Sequence, residues 1–132
     1  MKIGTPKESA AGENRVAMTP DSAVQLQKLG YVCAIETGAG LAAGFSDAAY
    51  QEAGVEIMSD ADALWAASDI VAKVQPPSPE EMGKLSEGKL LISFFWPVAN
   101  EALMKQAANI RTATQPDEVL FVIDAMIGQD AV

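Results

Sequence analysis

The chain has 132 residues, 49% apolar and 20% charged, with a net charge of −9, one cysteine and no histidine. These totals fit a single α/β-sized domain, residues 1–132, with its own core, and exclude a disordered chain. They also exclude a nucleic-acid binder, which needs basic surface, and a disulfide framework.

Lacking histidine, the chain has no Ser-His-Asp or Cys-His pair and no imidazole metal site. Any acid–base work falls to Asp, Glu, Lys or Tyr, and no catalytic residue and no metal site is assigned. No apolar run approaches membrane-spanning length, and Met1 leads straight into a strand with no signal peptide. The expectation is a reducing, aqueous, cytoplasmic setting without membrane insertion.

The first strand runs to about Thr5 and stops at Pro6, which brings no ladder donor. A polar loop follows, carrying Lys7, Glu8, Glu13 and Arg15. Thr19-Pro20-Asp21 then starts a helix: Thr19 caps it, Pro20 fits the first turn and Asp21 complements the dipole. A charged loop between the carboxyl end of a strand and a helix start is where open α/β sheets bind ligands. Arg15 can clamp a carboxylate or phosphate there; its alternative is a surface ion pair with Glu13.

Helix one spans about Asp21 to Leu29 and closes at Gly30. Tyr31 to Glu36 is a strand in which Val32, Cys33, Ala34 and Ile35 form a continuous apolar run, suited to burial on both faces, with the cysteine a small buried hydrophobe. The glycines at 38 and 40, with Ala43, match G-x-G-x-x-A, a weak dinucleotide fingerprint. A fresh helix start at Ser46-Asp47 lies too far downstream for the helix to open within the glycines, so an ordinary glycine loop is expected. Helix two covers about Asp47 to Ala53, a short strand Val55 to Met58, and helix three Ala61 to Ala67, capped by Ser59 or Asp60, with Leu64 and Trp65 inward.

The strand Asp69 to Val74 is apolar except for Lys73. A lysine near the carboxyl end of a central strand is costly to bury without a partner, which makes it the second site residue; its alternative is to snorkel past the strand end to solvent. Ser78 can cap a helix from Pro79 to Leu85. A strand Lys89 to Phe95, a helix about Asn100 to Ala108 and a last strand Glu118 to Asp124 follow. Alternating strands and helices imply a three-layer, flavodoxin-like α/β sandwich with a mostly parallel sheet of five or six strands. The apolar Met126-Ile127 near the end predicts either a frayed tail or a homodimer.

Several blocks then carry a resemblance: Met1 to Glu8, Glu13-Asn-Arg-Val-Ala-Met-Thr-Pro20, Glu36-Thr-Gly-Ala-Gly40, Asp69-Ile-Val-Ala-Lys-Val74 and Ser93-Phe-Phe-Trp-Pro97. Residues 1 to about 109 resemble the amino-terminal part of the alpha subunit of proton-translocating NAD(P) transhydrogenase, a pattern shared with alanine dehydrogenase. In the dehydrogenases, an arginine matching Arg15 and a lysine matching Lys73 hold the keto-acid substrate. A catalytic histidine of that family falls at Trp96, which argues against amino-acid dehydrogenation and for the transhydrogenase form.

The resemblance implies a parent that passes hydride between NAD(H) and NADP(H) and assembles with membrane transhydrogenase subunits at the cytoplasmic face of the bacterial inner membrane. Its NAD site lies mainly in a Rossmann domain absent from this chain, so the expectation is no cofactor bound here and no independent catalysis. Residues 112 to 132, by contrast, resemble a segment of the signal recognition particle GTPase around Asp124-Ala-Met-Ile-Gly-Gln129. No P-loop accompanies it, so GTP hydrolysis is not implied. The two resemblances together imply a chimera, with a scaffold without activity or a module binding a small anion (keto acid or phosphate) as alternatives.

Overall fold

The computed structural model describes residues 1–94 and the backbone of residues 120–122. Trp96, the helix expected over residues 100–108 and the tail with Met126-Ile127 lie outside the described residues.

Among the described residues there are six strands: β1 (Lys2–Thr5), β2 (Val32–Glu36), β3 (Glu56–Met58), β4 (Ile70–Ala72), β5 (Leu90–Phe94) and β6 (Leu120–Val122). They form one sheet in the order β3-β2-β1-β4-β5-β6, and every pairing is parallel. This is a doubly wound order; without the short edge strand β3 it is the five-strand flavodoxin-like one. Among the described residues four α-helices intervene: α1 (Pro20–Lys28), α2 (Asp47–Glu52), α3 (Ala61–Ala67) and α4 (Pro79–Met82). A 3₁₀ turn over Leu41–Ala43 was not foreseen, since Gly40 offers no side-chain cap.

The helices begin where local chemistry says they should. Thr19 and Ser22 cap each other reciprocally at α1, and Ser78 and Glu81 do the same at α4. Ser46 accepts from the Ala49 amide at α2, and Asp60 from the Ala63 amide at α3.

Strand alternation divides the core into two layers. Ile3, Cys33, Ile35 and Ile70 face α1 and α2, packing with Ala23, Tyr50 and Met18. Val71 and Leu91 face the other way, packing with Trp65 of α3 and Met82 and Leu85 beside α4. Burying an aromatic as large as Trp65, at 1% exposure, contributes about 3 kcal/mol, so this smaller layer is firmly anchored.

One close approach sets the position of α3. A Cβ built on Gly4 would lie 1.9 Å from Ser68 Oγ and 3.3 Å from Leu64 Cγ. Only a residue without a side chain lets the carboxyl end of α3 sit so near β1. From there the chain crosses from the β3 edge to β4, on the far side of β1. The strand order therefore reverses between β1 and β4, and a crevice opens above their carboxyl ends.

Candidate functional site

Both residues singled out from the sequence reach this crevice. Arg15 lies in the loop after β1, and Lys73 directly follows β4. A cleft of about 430 Å³ is bordered by Arg15, Val16, Ala72, Lys73, Ile92 and Phe94 among others. A second, of about 310 Å³, includes Lys7, Glu8, Glu36, Glu80, Glu81 and Lys84. A third, of about 180 Å³, lies between Glu8, Glu13 and Arg15 on one side and Gly38 and Leu41 on the other.

Lys73 does not snorkel. Its side chain is 1% exposed, with Nζ 3.1 Å from Glu8 Oε2 and 3.2 Å from Glu81 Oε2. Two carboxylates supply the partners that a buried ammonium requires. Glu8 does more than neutralise it. The Val74 N–H donates to Glu8 Oε1 at 2.6 Å, and the Gln75 N–H to Glu8 Oε2 at 3.4 Å. Glu8 was legible only as one charge in a polar loop; nothing near it in sequence signals a partner just after β4.

Arg15 makes the ion pair with Glu13: Nη2 lies 2.7 Å from Oε1, and Nε donates to the same carboxylate. The Arg15 side chain is 61% exposed, whereas that of Glu13 is 5% exposed. Glu13 also accepts from Gln75 Nε2 at 2.8 Å. Arg15, then Gln75, hold the Glu13 carboxyl down at about 2 against the opposing effect of desolvation. The loop after β1 is thus tied to the segment after β4 through two carboxylates, Glu8 and Glu13.

The glycine loop is committed to the fold. Gly38 has φ +75° and donates its amide to Asp47 Oδ1 at 2.9 Å, while the Thr37 hydroxyl donates to Oδ2 at 2.6 Å. These two bonds keep the Asp47 carboxyl below its usual range. A Cβ on Gly40 would lie 2.6 Å from Tyr50 Cε2, so Gly40 gives the Tyr50 ring its place. The Tyr50 hydroxyl donates to the Met18 carbonyl at 2.6 Å, and burial pushes its pKa up to about 12. Among the described residues no group of three or more Cys, Asp or Glu is arranged to hold a metal ion, and no helix is long and apolar enough to cross a membrane.

The family described as alanine dehydrogenase/PNT, N-terminal domain, matches residues 4–122. The chain belongs to that family. The match passes Thr112, where the GTPase-like segment was expected to begin. The alpha subunit of the NAD(P) transhydrogenase of Cereibacter sphaeroides is 60% identical over 105 residues, covering 80% of this chain and 20% of that protein. Alanine dehydrogenase of Bacillus subtilis is 43% identical over 114 residues, covering 86% of this chain and 30% of that one.

A solved L-alanine dehydrogenase superposes with a TM-score of 0.80 at 31% identity, over 93% of this chain and 32% of its own. A transhydrogenase from Sinorhizobium meliloti gives 0.78 at 28% identity, over 96% and 35%. As a member of the alanine dehydrogenase/PNT N-terminal family, the chain spans between a fifth and about a third of these relatives' lengths.

Proposed function

We propose that this chain is the anion-holding domain of an NAD(P)-linked oxidoreductase of the transhydrogenase or alanine dehydrogenase kind, with hydride chemistry residing in nucleotide-binding parts beyond it. Arg15 and Lys73 frame a site for a small carboxylate or phosphate, a keto acid being the natural case. What supports this is that both border one cleft of about 430 Å³ beside the point where strand order reverses. The glycine loop is a poor nucleotide site, because Asp47 already occupies the Gly38 amide. NAD therefore belongs to the whole protein and not to this domain alone.

Of the two parents, the transhydrogenase alpha subunit is favoured by the 60% identity and by Trp96-Pro97. On that reading the whole protein exchanges hydride between NAD(H) and NADP(H) and works with membrane subunits at the cytoplasmic face. A second reading, a scaffold without binding activity, draws on one observation: internal carboxylates already pair with both cations.

The test is a thermal-shift titration with pyruvate and with phosphate, alongside an NADH fluorescence titration. Ligand at about 100 times its Kd adds about 2.7 kcal/mol of stability, a readable shift. The expected result is a saturable shift with pyruvate that Arg15→Ala abolishes, and no NADH binding. A cooperatively folded protein that no anion shifts would leave only the scaffold reading.

A further inference from the structure

The Glu8 carboxylate sits in a pocket built for a carboxylate. Its two oxygens receive two consecutive backbone amides, Val74 and Gln75, and the Lys73 ammonium. Successive amides converging on one anion, beside a buried cation, are the ordinary means by which proteins bind oxyanions. The Glu8 side chain is 4% exposed and that of Lys73 1% exposed, so the carboxylate–ammonium pair is shielded from water. Glu81 balances the Lys73 charge from the α4 side but is directed otherwise: its Oε1 accepts the Ser78 amide. It leaves the Val74 and Gln75 amides to Glu8.

We propose that Val74 N–H, Gln75 N–H and Lys73 Nζ form a carboxylate receptor that the chain fills with its own Glu8. The loop carrying Glu8 is thereby a strap across the crevice, which a carboxylate ligand displaces by taking over these three donors. Glu8 reaches across 65 positions of sequence, and the same loop is fixed to the same segment by Glu13 through the Gln75 side chain. Both attachments are made by carboxylates, the chemical class that the crevice would receive.

The strap rests on the keto-acid reading of the crevice; the receptor test does not, because it uses acetate alone, without pyruvate or nucleotide. Melting temperature is followed against acetate, with chloride at matched ionic strength as control, for the full chain and for Glu8→Ala, Glu8→Gln and Glu8→Ala/Lys73→Met. Removing Glu8 takes the acceptor from the buried Val74 amide and from the half-buried Gln75 amide, which acetate can satisfy.

The expected result is a saturable acetate response in Glu8→Ala with a midpoint at least about tenfold below that of the parent chain. Glu8→Gln, which keeps an acceptor in place, does not respond, and the double variant loses the response. Should Glu8→Ala be unfolded, recovery of its folded circular dichroism by acetate over chloride is the equivalent result. Equal responses in the parent chain and Glu8→Ala, or no acetate effect on Glu8→Ala folded or unfolded, overturn the receptor. A receptor upheld while pyruvate fails to bind the parent chain would leave Glu8 as a permanent clasp, and would sink the displaceable strap and the keto-acid reading together while the receptor stands.

Discussion

Lys73 and Glu8 meet at 3.1 Å across the mouth of the β1–β4 crevice, their side chains 1% and 4% exposed. Buried pairs of this kind are asymmetric in energy: removing one partner leaves the other charge in a dry site. Lys73→Met leaves Glu8 and Glu81 facing each other without their common cation. The expected loss is about 3–5 kcal/mol, read from urea unfolding at neutral pH. Glu8→Gln added to Lys73→Met should restore a substantial part, because the glutamine carbonyl can still accept an amide. Losses that simply add in the double variant would show that the pair is not coupled.

Gly4 carries a prediction of a different kind. An alanine Cβ there would fall 1.9 Å from Ser68 Oγ and 2.9 Å from Ser68 Cβ. The neighbour is a buried side chain whose hydroxyl is engaged with the Leu64 carbonyl at 2.7 Å, so it cannot swing aside without loss. Gly4→Ala should destabilise by about 1–3 kcal/mol through overpacking. Gly4→Ala/Ser68→Gly removes both clashing atoms and should be more stable than Gly4→Ala; if it is less stable, steric overlap is not the cause.

The helices were legible because their signals are local. Thr19, Ser46, Asp60 and Ser78 each cap through a residue three positions on, and sequence alone contains both partners. Strand ends were less legible. Asp69 was expected inside β4, but its carboxylate accepts the Lys2 amide at 2.7 Å and the strand begins at Ile70. Lys73 stood out as a charge in an apolar run, yet its partner could not be read. Glu8 is 65 positions away, and the two meet only because β4 inserts beside β1 on the side opposite β2. Arg15 and Glu13, two apart, were readable as a pair for the converse reason.

Glu13 makes the acid side of the stability profile testable. The Arg15 guanidinium, followed by the Gln75 amide, holds its carboxyl at about 2 in place of the ordinary 4.5. In the unfolded chain the carboxyl takes up a proton near 4.5, and in the folded chain only near 2. Its contribution is therefore complete above pH 4.5 and lost as pH falls toward 2. Glu13→Gln should be less stable than the parent near neutral pH, with the gap narrowing steadily below pH 4.5. Urea unfolding at a series of acidic pH values measures it. A gap that stays constant over that window would mean that Glu13 acts through shape and hydrogen bonding without its charge.

Lys89 closes the carboxyl end of α3 from outside the helix. Its ammonium donates to the Ser68 carbonyl at 2.6 Å, to Trp65 at 2.8 Å and to Ala66 at 3.2 Å. These are the carbonyls that a helix end leaves without intrahelical donors, and a cation there also meets the negative end of the helix dipole. The residue enters with β5, so one side chain ties α3 to the strand two places from β1 in the sheet. Lys89→Met keeps the aliphatic stem and removes the donors, and should lower stability by about 1 kcal/mol. Lys89→Arg should retain part of that contribution, since the charge remains. The loss should shrink as salt rises, because half-buried charges are screened in part. Hydrogen exchange supplies the local readout: faster exchange at the α3 amides, with those of α1 unchanged, is the expected pattern. Uniform acceleration through both helices would instead mean that Lys89 supports the sheet as a whole and not the end of α3.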